Sequence, residues 1–216
     1  MKGLSLITDF GCKSNCKYCI WKSNENNKRV QNIDAQLDTL KNILYKGRYQ
    51  KFSISGGGDP LNNFYLNYQF WKRINWMSFL YNVKYDIHTS YENYFYHRIW
   101  FGDALNKFVF HATPKRNPIN IFKKTIENQI KLRICYVITD DINIEFLSKM
   151  EEFVNKNKEF LQLGYREYVG DVYKPRKEVD DFCKSVEERV PTGKYIYQND
   201  YNTYIMPDGT ITEKFL

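Results

Sequence analysis

The chain has 216 residues, of which 43% are hydrophobic and 17% aromatic, and it carries a formal net charge of +7. This length is typical of one domain with a substantial core, and this composition excludes a disordered chain. The sequence contains no run of about 18 apolar residues that could span a membrane, and its N-terminus lacks the apolar core of a signal peptide. We therefore expect a cytoplasmic protein, in which clustered cysteines indicate metal binding rather than disulfides.

Strand-like and helix-like segments alternate along the first 170 residues. Apolar runs predict six strands, at 4–10, 51–55, 83–90, 107–113, 131–139 and 159–169. Apolar residues at helical spacing predict the helices between them, at 32–47, 63–81, 94–105, 118–130 and 146–154. This alternation is typical of repeated βαβ units, so the sequence predicts a parallel sheet with right-handed crossovers.

The alternation ends after residue 170. The charged segment 177–189 predicts a helix, and the segment 201–216 predicts a hairpin that turns at Pro207-Asp208-Gly209. We therefore predict an α/β fold, a partial (β/α)6 barrel with a short C-terminal helix and hairpin extension. In this interpretation residues 1–170 form the core, and residues 171–216 pack on it without being an independent domain.

Basic residues are concentrated between Lys107 and Arg133, where seven of them stand against the single acid Glu127. Such a band is compatible with a solvated helix face, or with a surface that meets a phosphate-bearing substrate or RNA. The sequence alone leaves both interpretations open.

Three of the five cysteines lie within GCKSNCKYC, residues 11–19. A structural zinc site needs four ligands, and the remaining candidates are distant in the sequence: Cys135, Cys183, His88, His97 and His111. A cubane iron–sulfur cluster normally takes four thiolates, so three would leave one iron open to a ligand from outside the protein. The absence of a fourth nearby ligand favours the cluster over zinc.

Two segments of the sequence resemble the radical S-adenosylmethionine superfamily. The C-x3-C-x2-C loop follows the first predicted strand, and the aromatic Tyr18 precedes its last cysteine. The segment SISGGGDPL runs on from the second predicted strand and resembles the family's Gly-Gly-Glu-Pro segment. Gly57, Gly58 and Asp59 occupy its first three positions, with Asp in place of the usual Glu.

The resemblance implies a 4Fe-4S cluster held by Cys12, Cys16 and Cys19, with the open iron bound by the amino and carboxylate groups of S-adenosylmethionine. Reductive cleavage of this cofactor gives a 5′-deoxyadenosyl radical, which abstracts hydrogen from a substrate. In the family, the Gly-rich segment contacts the methionine amino group largely through backbone atoms, which is compatible with Asp59. The carboxyl ends of parallel strands meet on one face, and both motifs emerge there. No protein residue is assigned to the chemical step itself.

The resemblance also implies that groups at the ends of other strands bind S-adenosylmethionine. Tyr18 corresponds to the aromatic position beside the adenine, with packing over the cluster loop as the alternative. Lys115 is the candidate partner of the methionine carboxylate, with a solvent-exposed turn lysine as the alternative. The further candidates for contacts with the cofactor are Ser55, Thr89, His111, Thr113 and Ile138.

Strand six ends in YREYVG, which combines aromatic and charged residues. Alternation places Arg166 and Tyr168 on one side of the sheet and Tyr165 and Glu167 on the other. We expect Arg166 to face the substrate, with a salt bridge at the barrel rim as the alternative.

The motifs do not identify the substrate. We expect a small molecule or nucleotide, with RNA or a peptide as further candidates, an electron donor such as flavodoxin or ferredoxin, and no membrane partner. A glycyl-radical activase is one alternative. Another is an enzyme similar to 7-carboxy-7-deazaguanine synthase, a family that usually has Asp-Thr or Asp-Ser after the third cysteine, where this chain has IWKS. A non-catalytic electron-transfer protein or a zinc-binding protein would not need the glycine turn.

Overall fold

The computed structural model of the protein describes residues 3–14, 16–19, 21, 29–92, 94–114, 119–168, 170–197 and 202–213. The chain divides into two compact units. The first unit comprises residues 1–108 and 201–216, and the second comprises residues 109–200. Within the described ranges, no helix is both long enough and apolar enough to cross a bilayer.

The sheet of the first unit is built around β1 (Leu4–Thr8), whose five residues are all buried. β2 (Lys51–Gly56) lies parallel to β1 on one side, and β8 (Thr203–Ile205) lies parallel to it on the other. β3 (Lys84–Thr89) pairs in parallel with β2, and β9 (Ile211–Thr212) pairs antiparallel with β8. Because β1, β2 and β3 run in the same direction, the loops that follow them emerge at one edge of the sheet.

Two longer helices accompany this sheet. α1 (Ile33–Tyr45) begins at the N-cap Asn32, whose side-chain oxygen accepts a hydrogen bond of 3.1 Å from the backbone N–H of Ala35. α2 (Tyr68–Leu80) begins five residues later than the sequence predicts. Asn63 has a φ of 52°, which is incompatible with a right-handed helix, so the preceding residues form turns instead.

The single helix predicted over 94–105 is divided into three short pieces. Two 3₁₀ turns, Tyr94–His97 and Gly102–Ala104, flank α3 (Arg98–Phe101). Gly102 has a φ of 51°, a left-handed conformation that ends the α-helical turn. β4 (Leu105–Ala112) follows directly, and the boundary between the two units falls within it.

The second unit contains a parallel three-stranded arrangement in which β6 is central. β5 (Leu132–Val137) and β7 (Gly193–Ile196) both pair in parallel with β6 (Leu161–Arg166). The helices of this unit are α4 (Ile119–Glu127), α5 (Ile144–Lys156), α6 (Lys177–Lys184) and α7 (Val186–Arg189).

The helices of the second unit cover one face of its strands. The Tyr136 ring of β5 packs edge-on against Phe146 of α5 at 5.5 Å between ring centroids. The Tyr165 hydroxyl of β6 donates a 3.1 Å hydrogen bond to the buried carboxylate of Glu151 on α5. Alternation therefore turns the neighbouring residues of β5 and β6 to the opposite face, which we call the inner face of the second unit.

The predicted α/β class, with parallel strands and a C-terminal helix and hairpin, is confirmed. The hairpin joins β8 and β9 through a turn in which Gly209 has a φ of 85° and donates a 2.9 Å hydrogen bond to the Met206 carbonyl. Two pairings were not predicted, namely those of β7 with β6 and of β8 with β1. The division of the chain into residues 1–170 and 171–216 stays a prediction.

Candidate functional site

The cysteine loop begins at the carboxyl end of β1. Cys12 is exposed, Cys16 and Cys19 are half-buried, and all three are free thiols. The backbone N–H of Ser14 donates a 3.3 Å hydrogen bond to the Cys12 sulfur, and the N–H of Cys19 donates one of 3.2 Å to the Cys16 carbonyl. Among the described residues, no group of three or more His, Cys, Asp or Glu is arranged to hold a metal ion. The loop therefore brings three thiols to one end of β1 without gathering them around one point.

The glycine turn that follows β2 is fixed to the same end of β1 by backbone hydrogen bonds. The N–H groups of Gly57 and Gly58 both donate to the carbonyl of Thr8, at 2.9 and 3.3 Å. The N–H of Asp59 donates to the carbonyl of Gly11 at 2.8 Å. Gly11 directly precedes Cys12, so these bonds attach the glycine turn to the root of the cysteine loop.

Two residues of the turn have no room for a side chain. A Cβ atom at Gly58 would overlap the backbone of Gly11, and one at Gly57 would overlap the indole ring of Trp21. Only glycine allows this close approach of the two segments. The requirement for glycine here is one of space, since neither residue has a positive φ.

Asp59 is 6% exposed, and both of its carboxylate oxygens accept hydrogen bonds from the protein. Oδ1 accepts from the N–H of Leu61 at 3.0 Å and from the hydroxyl of Thr89 at 2.7 Å. Oδ2 accepts from the N–H and the hydroxyl of Ser90, at 2.7 and 3.0 Å. The carboxylate therefore ties the glycine turn to the carboxyl end of β3.

Ser90 extends this connection to the cysteine loop. Its hydroxyl donates to Asp59, and it shares a 2.9 Å hydrogen bond with the hydroxyl of Ser14. Ser14 was not among the predicted site residues, and Asp59 was predicted as a cofactor contact. The sequence feature that could have indicated the hydrogen bonds from Asp59 to β3 is the pair Thr89-Ser90, which ends the strand next to the glycine turn.

The other predicted residues of the first unit have different surroundings. Tyr18 is half-buried in the cysteine loop, and Ser55 is half-buried near the carboxyl end of β2. Thr89 is 1% exposed, and its hydroxyl also accepts a 2.9 Å hydrogen bond from the N–H of Tyr91. Because that hydroxyl is already engaged on both sides, Thr89 positions Asp59 rather than presenting a free donor.

Four of the residues predicted to contact the cofactor lie in the second unit. His111 of β4 is half-buried, and burial together with the nearby charge of Arg166 lowers its pKa to about 3. Thr113 is half-buried just after β4, and the fully buried Ile138 donates its N–H to the Arg166 carbonyl at 2.9 Å. Lys115, the candidate for the methionine carboxylate, lies outside the described residues.

The residues of the first unit fit an iron–sulfur cluster and its nucleoside cofactor by their chemistry. Cys12, Cys16 and Cys19 supply three soft thiolate donors, which suit iron. The glycine turn beside them has no side chains of its own at Gly57 and Gly58, where it packs against Trp21 and the Gly11 backbone.

Solved structures with the same fold bind S-adenosylmethionine. Streptococcus suis SuiB, solved bound to S-adenosylmethionine, matches 99% of this chain with a TM-score of 0.71 and 13% sequence identity, and the match covers 60% of the SuiB chain. A structure of anSMEcpe with bound AdoMet and the Cp18Cys peptide matches 99% of this chain with a TM-score of 0.62 and 12% identity, and the match covers 74% of that chain. The chain thus spans about three fifths of SuiB and three quarters of anSMEcpe.

The sequence family described as "4Fe-4S single cluster domain" matches residues 5–93, which include the cysteine loop and the glycine turn. No curated protein matches the sequence. SuiB and anSMEcpe are radical S-adenosylmethionine enzymes. The cluster-domain match over residues 5–93 and the shared fold confirm the resemblance to radical S-adenosylmethionine proteins predicted from the sequence.

Proposed function

We propose that this chain is a radical S-adenosylmethionine enzyme that removes a hydrogen atom from a peptide. The observation that carries the proposal is the attachment of the glycine turn to the cysteine loop through the carbonyls of Thr8 and Gly11. This attachment supports the proposal, because it holds the three cysteines and the glycine turn together at one end of the same sheet. A non-catalytic iron–sulfur protein or a zinc protein would have no use for that arrangement.

In this proposal Cys12, Cys16 and Cys19 hold the 4Fe-4S cluster. When bound, the reduced cluster and S-adenosylmethionine supply a 5′-deoxyadenosyl radical that takes hydrogen from the substrate. The protein contributes orientation of the cofactor and exclusion of water around it. The electron donor is a small redox protein such as flavodoxin or ferredoxin.

The hydrogen bonds of the glycine turn suggest how it would bind the cofactor. Its N–H groups at Gly57, Gly58 and Asp59 are already used by carbonyls of the first unit. Among the described hydrogen bonds, none ends on the carbonyl oxygens of Gly57 or Gly58. These oxygens are acceptors, so they suit the ammonium group of the methionine moiety. Ser55, Tyr18, His111, Thr113, Lys115 and Ile138 stay as predicted contacts for the rest of the cofactor.

A peptide substrate is favoured over a small molecule or nucleotide by the likeness to anSMEcpe. That protein has been solved with S-adenosylmethionine and a peptide together, over a fold that this chain matches along nearly its whole length. The glycyl-radical activase and the deazaguanine-synthase-like enzyme remain alternatives, and the same assay distinguishes them by the substrate that stimulates cofactor cleavage.

The test is anaerobic cleavage of S-adenosylmethionine. The protein is reconstituted with iron and sulfide and reduced with dithionite, and 5′-deoxyadenosine is measured by mass spectrometry with and without peptide, nucleotide and RNA pools. We expect cleavage that a peptide pool stimulates. Full cluster loading, with neither cofactor binding nor 5′-deoxyadenosine in any pool, would contradict the proposal. Cys16→Ala serves as the negative control.

A further inference from the structure

The inner face of the second unit carries an arginine, Arg166, that has no acidic partner among the residues that the structure describes. Arg166 is the last residue of β6 and is half-buried. The preceding Tyr165 faces α5 through its bond to Glu151, so alternation turns Arg166 to the inner face. Among the described residues, no hydrogen bond or ion pair involves the Arg166 side chain.

Arg189, in the same unit, is a guanidinium group whose donors have hydrogen-bond partners. Its Nε and Nη2 atoms donate to the two carboxylate oxygens of Glu151, both at 2.8 Å. It also donates to the carbonyls of Phe182 and Ser185, at 2.6 and 3.1 Å. Arg166 has no such partners among the described residues, so a bound anion could accept charge-assisted hydrogen bonds from its guanidinium.

The neighbours of Arg166 do not neutralise its charge. His111 is uncharged at neutral pH, because burial and Arg166 lower its pKa, and burial raises the pKa of the Cys135 thiol, which keeps it uncharged too. Arg133 lies on the same face of β5, but its Nε and Nη2 atoms both donate to the side-chain oxygen of Gln162, at 3.2 and 2.9 Å. Arg166 is therefore the guanidinium of this face whose donors are unpaired within the described part of the chain.

We propose that Arg166 binds a carboxylate group of a bound ligand, an inference that deepens the proposed function and rests on it. The planar fork of a guanidinium matches the two oxygens of a carboxylate and can bind both. One guanidinium with its donors available balances the single charge of a carboxylate, whereas a phosphate calls for further donors. The carboxylate comes from a peptide side chain or terminus, or from the methionine moiety of S-adenosylmethionine, and the experiment separates these sources.

The experiment is labelling of the reconstituted protein with phenylglyoxal under anaerobic conditions, followed residue by residue with peptide mass spectrometry. We expect Arg166 to react faster than Arg189, which is the internal control. Saturating acetate should slow the reaction of Arg166 by about tenfold, the effect of about 1.4 kcal/mol of charge-assisted hydrogen bonding. Chloride at equal ionic strength should not slow the reaction of Arg166. Equal protection by chloride, stronger protection by phosphate, or an Arg166 as unreactive as Arg189 would overturn the proposal.

Two further ligands identify the source of the carboxylate. Protection by S-adenosylmethionine, but not by 5′-methylthioadenosine, which lacks the methionine carboxylate, would assign the site to the cofactor. Protection by acetate alone would support a substrate carboxylate. Labelling requires no turnover, so failed protection beside normal 5′-deoxyadenosine formation overturns this site alone. Normal protection without 5′-deoxyadenosine overturns the enzymatic function alone.

Discussion

The two units present their polar groups in different ways. In the first unit, the glycine turn and the cysteine loop are joined mostly by backbone hydrogen bonds, to Thr8 and Gly11, with one carboxylate at Asp59. In the second unit, the inner face carries separate side chains, Arg133 and Arg166, from two strands. A site made of backbone requires a short, fixed sequence, whereas a site made of side chains can be assembled from any strand. This difference explains why the first is recognisable as a motif and the second is not.

The comparison predicts its largest effect at the cysteine loop. Cys16→Ala removes one of only three thiolates near the proposed cluster, so we expect complete loss of 5′-deoxyadenosine formation and of most bound iron. Iron and sulfide analysis beside the cleavage assay measures both. Cys183→Ala is the matched control, because it removes a buried thiol of the second unit. Cofactor cleavage by Cys16→Ala would refute the cluster assignment.

The next effect is expected at the glycine turn. In Gly58→Ala the added Cβ would overlap the Gly11 backbone, so the turn must move away from the cysteine loop. We expect S-adenosylmethionine affinity, measured by calorimetry, to fall by more than about tenfold. Gly47→Ala is the control, because Gly47 has open space and a φ of 65°, so this variant should lose about 1 kcal/mol of stability without losing affinity. Equal S-adenosylmethionine affinities in the two variants would contradict the role of close packing at Gly58 in cofactor binding.

Among the side chains that connect the glycine turn to β3, we expect the loss of Asp59 to have the largest effect. In Asp59→Asn the amide NH₂ cannot accept the two bonds from Ser90, which leaves buried donors unpaired. We expect unfolding free energy to fall by about 2 kcal/mol and S-adenosylmethionine affinity to fall less than in Gly58→Ala. Denaturant titration and calorimetry measure the two quantities. Thr89→Val, which removes one bond to Asp59, should show a smaller loss of stability, and the reverse order would contradict this role.

The smallest effect concerns pH and the inner face of the second unit. Because the pKa of His111 is about 3 in the folded protein and about 6.5 in an unfolded chain, the unfolded state binds the extra proton between these values. The free energy of unfolding should therefore fall as pH falls through this window, by at most about 1.4 kcal/mol per pH unit. Denaturant titrations at about pH 7 and about pH 5.5 test this. His111→Gln should flatten part of the slope, and an unchanged slope would show that His111 is solvated.

The sequence predicted the order of the main elements because their apolar periodicity is local. It could not predict that β7 and β8 join the sheet, since strands of four and three residues take their place from distant partners, β6 and β1. The start of α2 was also predicted too early, because apolar spacing does not report the left-handed Asn63.

The same limit applies to the site. The cysteine and glycine motifs were recognisable because each lies within ten residues of sequence. The role of Asp59 was not recognisable from the sequence, because its partners Thr89 and Ser90 lie about 30 residues away and are ordinary strand-end residues. Arg166 was singled out by alternation, but its lack of an acidic partner among the described residues is visible only in three dimensions.

The chain of hydrogen bonds from Asp59 through Ser90 to Ser14 means that two binding events share one support. A cofactor that holds the glycine turn in place also restrains the loop that carries Cys12 and Cys16. If a bound cluster increases the affinity for the cofactor by some factor, then thermodynamic reciprocity requires that the bound cofactor increases the affinity for the cluster by the same factor. The cofactor in this protein would thus also protect its own metal centre against loss, with the two serine hydroxyls as the coupling element.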